Sequence, residues 1–212
     1  MTDYQPLAIR EQQQKPASEH TRAHQARVRN QLPLSETKSF DNARKGFIKT
    51  LEPMQIAHQQ ADRMVFDLTK FEFLKDESPE TVNPSLWRQA QLNAQHHGLF
   101  EVVDGIYQVR SFDIANMTLV RGETGWIIID PLTCTESARA ALALANDHLG
   151  HRDVVAVIHT HSHVDHFAGI LGVTTPAAVS AGEVAIIAPK DFVQEALNEN
   201  VLAGNVMGRR AT

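Results

Sequence analysis

The pattern of apolar and polar residues changes period near residue 99. Four short apolar runs follow one another: Phe100–Val103, Ile106–Val109, Met117–Val120 and Trp126–Ile129. Turn-forming residues separate them: Asp104-Gly105, then Asp113 and Asn116, then Gly122 and Gly125. Runs of that length between such turns predict an antiparallel meander whose last strand, apolar throughout, is buried. Past Asp130-Pro131, Thr133-x-x-Glu136 has the form of a capping box. It opens an alanine- and leucine-rich helix expected over 135–149 and stopped by Gly150. Val154–Ile158 is β-branched and apolar, so a second buried strand is expected there. Strand, helix and strand within about thirty residues make a βαβ unit and a partly parallel sheet. Val184–Ala188 and a helix from near Asp191 repeat it.

Ahead of residue 99 the pattern is weaker. Residues 1–20 are polar and glutamine-rich and read as a flexible arm. Thr21–Gln31 suits a short charged helix before Pro33. Ser39–Leu51 reads as irregular chain anchored by Phe40, Phe47, Ile48 and Leu51. In Met64–Leu74, Val65, Leu68, Phe71 and Leu74 recur every three residues, an amphipathic element whose type the period does not decide. Pro84–His96 is a clearer helix, with proline in its first turn and Gly98 beyond its end. The chain therefore divides into an arm over 1–34, an extension packing on the core over 35–98, and an α/β body over 99–212.

Charge and composition exclude several classes. Twenty basic and 25 acidic residues leave a net charge of −5. Residues 1–50 carry +4 and the remainder −9, a weakly basic arm ahead of an acidic body, which argues against nucleic-acid binding. A single cysteine, Cys134, rules out an internal disulfide framework. The longest apolar runs are strand-sized, so no membrane span is expected. The N-terminus lacks the apolar core of a signal peptide, so a cytoplasmic location is expected as written, and a periplasmic or secreted one if a leader precedes it.

The unusual feature is histidine. Four of eleven fall in His159-Thr160-His161-Ser162-His163-Val164-Asp165-His166, directly after the strand Val154–Ile158. Ligand sites gather at the carboxyl ends of strands in α/β sheets. His161 and His163 are two apart, so in extended chain both imidazoles point the same way and can chelate one ion. Asp165 and His166 follow where the chain turns into a helix expected over 167–171, and can grip a second ion. Two metals about 3.5–4 Å apart can share a hydroxide and clamp attacking and leaving oxygens. His159 precedes the pattern and reads as structural. Asp130 ends a neighbouring strand and could hydrogen-bond the ligand loop, or be a turn aspartate before Pro131; the spacing leaves both readings open.

With these residues in view, the chain resembles the metallo-β-lactamase superfamily through Thr160-His161-x-His163-x-Asp165-His166 and Asp130. Its flanks resemble the linear alkylsulfatases of that superfamily: Phe40–Ile48, Gly105–Val109, Phe112–Leu119 and Asn198–Met207. The resemblance implies an αββα sandwich, of which 99–212 would be the first, N-terminal half, with a helical N-terminal extension. It implies a binuclear zinc hydrolase that splits alkyl sulfates such as dodecyl sulfate into alcohol and sulfate. By position, His161 and His163 would bind one Zn2+, Asp165 and His166 the other, with Asp165 also the candidate catalytic residue. It further implies an alkyl sulfate as substrate partner and a homodimer formed through a domain this chain does not contain.

The family's remaining ligands lie well downstream. The 46 residues after His166 hold no histidine, and their acids are Glu183, Asp191, Glu195 and Glu199. Glu199, in Asn198-Glu-Asn, reads as a structural residue within a helix. The expectation is therefore an N-terminal portion of an alkylsulfatase, inactive alone, with one sheet face uncovered. Nitrogen and oxygen ligands alone do not choose between zinc and its neighbours. Two alternatives stay open: another hydrolase of the superfamily, such as a thioesterase or lactonase, and a non-catalytic metal-binding or assembly protein.

Overall fold

The computed structural model describes residues 15–211, so residues 1–14 of the expected arm lie outside the described residues. Helix α1 (Glu19–Gln31) begins at Ser18, whose hydroxyl oxygen accepts the Thr21 N–H at 3.1 Å. Where irregular chain is expected, helix α2 (Lys38–Arg44) and strand β1 (Phe47–Lys49) form. A three-residue strand has too little pattern to be visible in sequence; its pairing partner, β4 (Gly98–Val103), lies some fifty residues on, with Phe47 opposite Phe100. Ile48 and Leu51 pack against the core as anchors. Phe47 does not: it is 45% exposed and meets Phe100 edge-on at 5.4 Å.

Met64–Leu74 is two elements rather than one. Strand β3 (Met64–Asp67) pairs with β2 (Gln55–Ala57) in a separate two-stranded sheet, and a 3₁₀ helix follows over Leu68–Lys75. The spacing of three is the 3₁₀ period, in which residues i and i+3 eclipse. Of that stripe Leu68 and Leu74 face inward and Phe71 is exposed. Helix α3 (Pro84–Gln95) starts as its sequence predicts, with Pro84 in the first turn and the Asn83 side chain accepting Ser85 N–H.

The body is one seven-stranded sheet in the order β1-β4-β5-β6-β7-β8-β9, where β5 is Ile106–Arg110, β6 Met117–Arg121, β7 Trp126–Ile129, β8 Val154–Ile158 and β9 Ala185–Ile187. Pairs from β1 to β7 are antiparallel; β7-β8-β9 are parallel. Helix α4 (Thr135–Leu149) makes the crossover from β7 to β8. Its Ala138, Ala141, Leu144 and Ala145 share one core with alternate strand residues: Val109, Met117, Leu119, Trp126, Ile128 and Val157. Small residues on the helix let it lie close to the sheet, while the large side chains come from the strands. The opposite face carries Val120, Ile127, Ile129 and Ile158, half-buried rather than bare. This mixed α/β arrangement, with a helical N-terminal segment, agrees with the expected half-sandwich.

The expected capping box does not form. Cys134 is the N-cap, its sulfur accepting Ser137 N–H at 3.5 Å. Thr133 donates instead to Asp113, through its hydroxyl at 2.8 Å and its N–H at 2.9 Å, and Glu136 accepts from Gln59 N–H at 3.2 Å. Both residues tie the helix start to distant segments, which local spacing cannot show.

Two 3₁₀ turns, Val164–His166 and Ala168–Gly172, stand where one helix over 167–171 is expected. The second lies flat on the start of α4. A Cβ on Gly169 would collide with the Pro131 carbonyl oxygen and come within 2.8 Å of that of Cys134. Helix α5 (Pro176–Ser180) leads to β9; then come α6 (Phe192–Leu197), a π-helical turn over Asn198–Leu202 and α7 (Gly204–Ala211). No helix among the described residues is long and apolar enough to cross a membrane.

Candidate metal centre

β7 and β8 are parallel neighbours, so their carboxyl ends lie side by side. β7 ends in Asp130 and β8 runs into His159 and the histidine loop. The chain after β7 is unusually bent: Asp130 and Leu132 both have left-handed backbone, φ 55° and 64°, around Pro131. Leu132 N–H closes that bend on Asp130 O at 2.9 Å, and Asp130 N–H bonds Ile158 O at 3.0 Å. Left-handed backbone on non-glycine residues is sparsely populated and gathers at functional sites.

The bend aims the Asp130 carboxylate at the loop, and the carboxylate is 7% exposed at the residue level. Its Oδ1 accepts Thr160 N–H at 2.8 Å; its Oδ2 accepts the Thr160 hydroxyl at 2.6 Å and faces His166 Nδ1 at 2.8 Å. Of the two readings the sequence left open, the structure has Asp130 bonding the loop. The Thr160 hydroxyl, having given its proton to Asp130, is left to accept from His161 Nδ1 at 2.9 Å. This chain of bonds sets tautomers. His161 and His166 carry their protons on Nδ1, which leaves both Nε2 lone pairs for an ion.

The cluster is compact. Oxygen and nitrogen atoms of Asp130, His161 and His166 lie within 4.8 Å of one another, and among the described residues no other group of three such donors does so. Since both Asp130 oxygens already accept hydrogen bonds, Asp130 orients ligands better than it serves as one. Asp165 is the better donor: its Oδ2 lies 3.2 Å from His166 Nε2. Two donors held tetrahedrally at zinc distances are about 3.3–3.5 Å apart, so this pair has the spacing of one ion's ligands. The His161 ring centroid is 4.6 Å from that of His163 and 4.1 Å from that of His166. The three imidazoles form one group with His161 between the others. Neutral imidazoles and carboxylate, with no thiolate, fit a zinc-type ion with open positions for water.

His159 lies beneath the loop. It is buried, its Nδ1 sits 3.3 Å from His166 O, and its ring stacks on Phe192 at 5.3 Å. Burial pushes its pKa below the usual histidine value, which keeps it neutral.

Glu199, read from the sequence as a structural residue within a helix, lies in the π-helical turn, with its Oε1 3.5 Å from His163 Nε2. No local signal announces this, because 36 residues separate the two.

The fold and site define a class, and comparison with known proteins agrees. Residues 110–205 match the family model described as the metallo-beta-lactamase superfamily. Over those residues the chain is similar to metallo-β-lactamase domains. Within that class it is similar to alkylsulfatases. It is 48% identical over 200 residues to a linear primary-alkylsulfatase from Pseudomonas sp., covering 93% of this chain and 29% of that protein. It is 47% identical over 185 residues to an alkyl/aryl-sulfatase from Saccharomyces cerevisiae, covering 87% and 28%. The crystal structure of a stereoselective inverting sec-alkylsulfatase from Pseudomonas sp. superposes with a TM-score of 0.85 at 46% identity, over 92% of this chain and 31% of that one. The chain spans about 30% of the length of these relatives.

Proposed function

We propose that this chain supplies the first part of a binuclear zinc site for hydrolysing alkyl sulfate esters, linear primary ones such as dodecyl sulfate among them. The observation that carries the reading is the bond chain Asp130–Thr160–His161 with Asp130–His166. It leaves one ring nitrogen of His161 and one of His166 free for an ion. His161 and His163 hold one ion in this reading; Asp165 and His166 hold the other. Bound zinc supplies Lewis acidity toward water and toward the sulfate oxygens. Asp165, half-buried beside His166, also accepts a proton from water. Asp130 and Thr160 keep the imidazoles in the ligating tautomer throughout. Each ion has two protein donors from this loop, so the chain alone holds zinc loosely and releases no sulfate from dodecyl sulfate.

A segment exchange tests this. The matching 31% of the solved sec-alkylsulfatase is replaced by this chain. Sulfate release from an alkyl sulfate, with no hydrolysis of a thioester or a lactone, is expected, together with its loss in His161→Ala. Thioester or lactone hydrolysis without sulfate release would overturn the reading.

A further inference from the structure

The segment ahead of the α/β body holds a cavity of about 630 Å³ that the metal centre does not use. Its walls come from α2, the chain leading into β2, the 3₁₀ helix over Leu68–Lys75 and α3, and no residue of β7, β8 or the histidine loop lines it. We propose that this cavity binds a neutral long-chain alcohol, with the alkyl chain along the 3₁₀ helix and the hydroxyl at His97 and Gln91. Binding is a property of the cavity alone. Only the source of such an alcohol, its release from an alkyl sulfate, rests on the function proposed above.

Shape, polarity and charge each narrow the ligand. Small-molecule cavities measure roughly 300–1,000 Å³ and are mostly apolar, with a few polar groups that fix orientation. Leu68, Phe71 and Leu74 all line this one. In a 3₁₀ helix residues three apart eclipse, so the three form one straight row about 12 Å long at roughly 2.0 Å per residue. Leu51, Met54 and Ala94 add to the apolar lining. A straight apolar row suits an extended alkyl chain better than a compact ring. The polar groups are neutral. His97 Nδ1 is taken by the Thr50 hydroxyl at 2.6 Å, which leaves Nε2. Burial holds the His97 pKa below the usual histidine value. Gln91 donates its Nε2 to Leu74 O at 2.7 Å and to Asp76 O at 3.3 Å, which leaves its Oε1 to accept. A hydroxyl both donates and accepts, so it can serve both groups whichever tautomer His97 holds; an ionised sulfate cannot donate. Glu52 and Glu72 line the cavity against one cation, Lys75, whose Nζ Glu72 already holds at 3.1 Å. The Glu52 carboxylate is left over, and no free cation of the lining meets an anionic head group.

The test titrates the whole chain, labelled with 13C at its methionine methyls, with 1-decanol. Met54 lines the cavity and is buried, whereas Met117 is buried in the core of the body, so the two report on different places. A saturable shift of the Met54 methyl with Met117 unmoved is expected. Decyl sulfate, below its micelle concentration, is expected to bind about tenfold more weakly, from repulsion by one carboxylate. Ala94→Phe, which fills the cavity from α3, should abolish the Met54 response. Phe71→Ser removes one side chain of the row from a residue already 46% exposed, and should weaken decanol binding several-fold even if the larger substitution disturbs the fold. The proposal is overturned if decanol gives no saturable Met54 shift, or if the shift survives both substitutions. Decyl sulfate or decyltrimethylammonium binding as tightly as decanol would overturn it too, as would a Met54 shift that follows protein concentration alone, the mark of a second chain in the cavity. None of these readings needs zinc or hydrolysis, so failure of the sulfatase reading would be seen separately, as absent sulfate release in the segment exchange.

Discussion

Asp130 shows how much one residue can organise. Its left-handed backbone, its place at the end of β7 and its nearly complete burial bring one carboxylate onto three donors of the next strand's loop. Asp130→Asn keeps the size but replaces one acceptor oxygen with an amide donor. Placed at Oδ1 that donor opposes Thr160 N–H, and placed at Oδ2 it opposes both the Thr160 hydroxyl and His166 Nδ1–H, so no orientation of the amide keeps all three bonds. Zinc affinity, measured by chelator competition, is expected to fall about 10–100-fold with the circular dichroism spectrum unchanged. Undiminished affinity would mean that the loop orients itself. At the same scale, His97 makes stability depend on pH. Its Nδ1 sits 2.6 Å from the Thr50 hydroxyl. Burial first, and then the neighbouring His96, hold its pKa below the ordinary 6.5, while Glu52 pulls more weakly the other way. The folded chain therefore binds fewer protons here than the unfolded chain. The contribution of His97 to stability is complete above about pH 6.5 and declines as the pH falls below that value. Thermal unfolding midpoints are expected to drop from pH 7.5 to 5.5, and His97→Asn to flatten that slope. An unaltered slope in the variant would place the acid sensitivity elsewhere.

At the scale of elements, the site depends on how closely the loop lies on α4. Gly169 N–H bonds Leu132 O at 2.8 Å, joining the segment after the histidines to the bend after β7. The space around Gly169 is closed by backbone carbonyls, which cannot step aside as a flexible side chain can. Gly169→Ala is expected to destabilise the fold by about 1–3 kcal/mol. It should also broaden the loop's NMR signals, since the 3₁₀ turn must lift from the helix. A thermal midpoint equal to that of the unaltered chain would show that the contact is loose. The element scale is also where sequence reading succeeds most evenly. The four strands of the meander, α4 and β8 follow from runs of like residues between turn signals, because each run is long enough to show its own period. β1 and the capping of α4 escape it: the first is three residues long, and the second is decided by Asp113 and Gln59, far away in the chain.

For the whole molecule, the open question of the sheet is its last edge. β9 pairs with β8 on one side, and all three of its residues are exposed, with Ile187 at 51%. Beside it lies the half-buried apolar face of β6, β7 and β8. Unpaired strand edges next to apolar surface recruit other chains, and a net charge of −5 gives modest repulsion. The chain is expected to self-associate with rising concentration in light scattering. Ile187→Lys, which places a charge on that edge, should shift it toward monomer without lowering the thermal midpoint. Equal association in the variant would move the sticky surface away from β9.

The division of labour between sequence and tertiary structure follows from distance along the chain. His161, His163, Asp165 and His166 stand within six consecutive residues after an apolar strand, so their nearness to one another, and to a strand end, is a local property and was legible in the sequence. So was the α/β alternation that makes β7 and β8 parallel neighbours, because hydrophobic period is written residue by residue. Which nitrogen each imidazole keeps for a ligand is not local. For His161 and His166 it depends on Asp130, thirty-one residues before His161, and no spacing encodes that approach. Those contacts exist only once α4 has returned the chain alongside β7. A hydrogen bond forms within a few tenths of an ångström, a tolerance that the packed core can set and that a pattern of apolar and polar letters cannot.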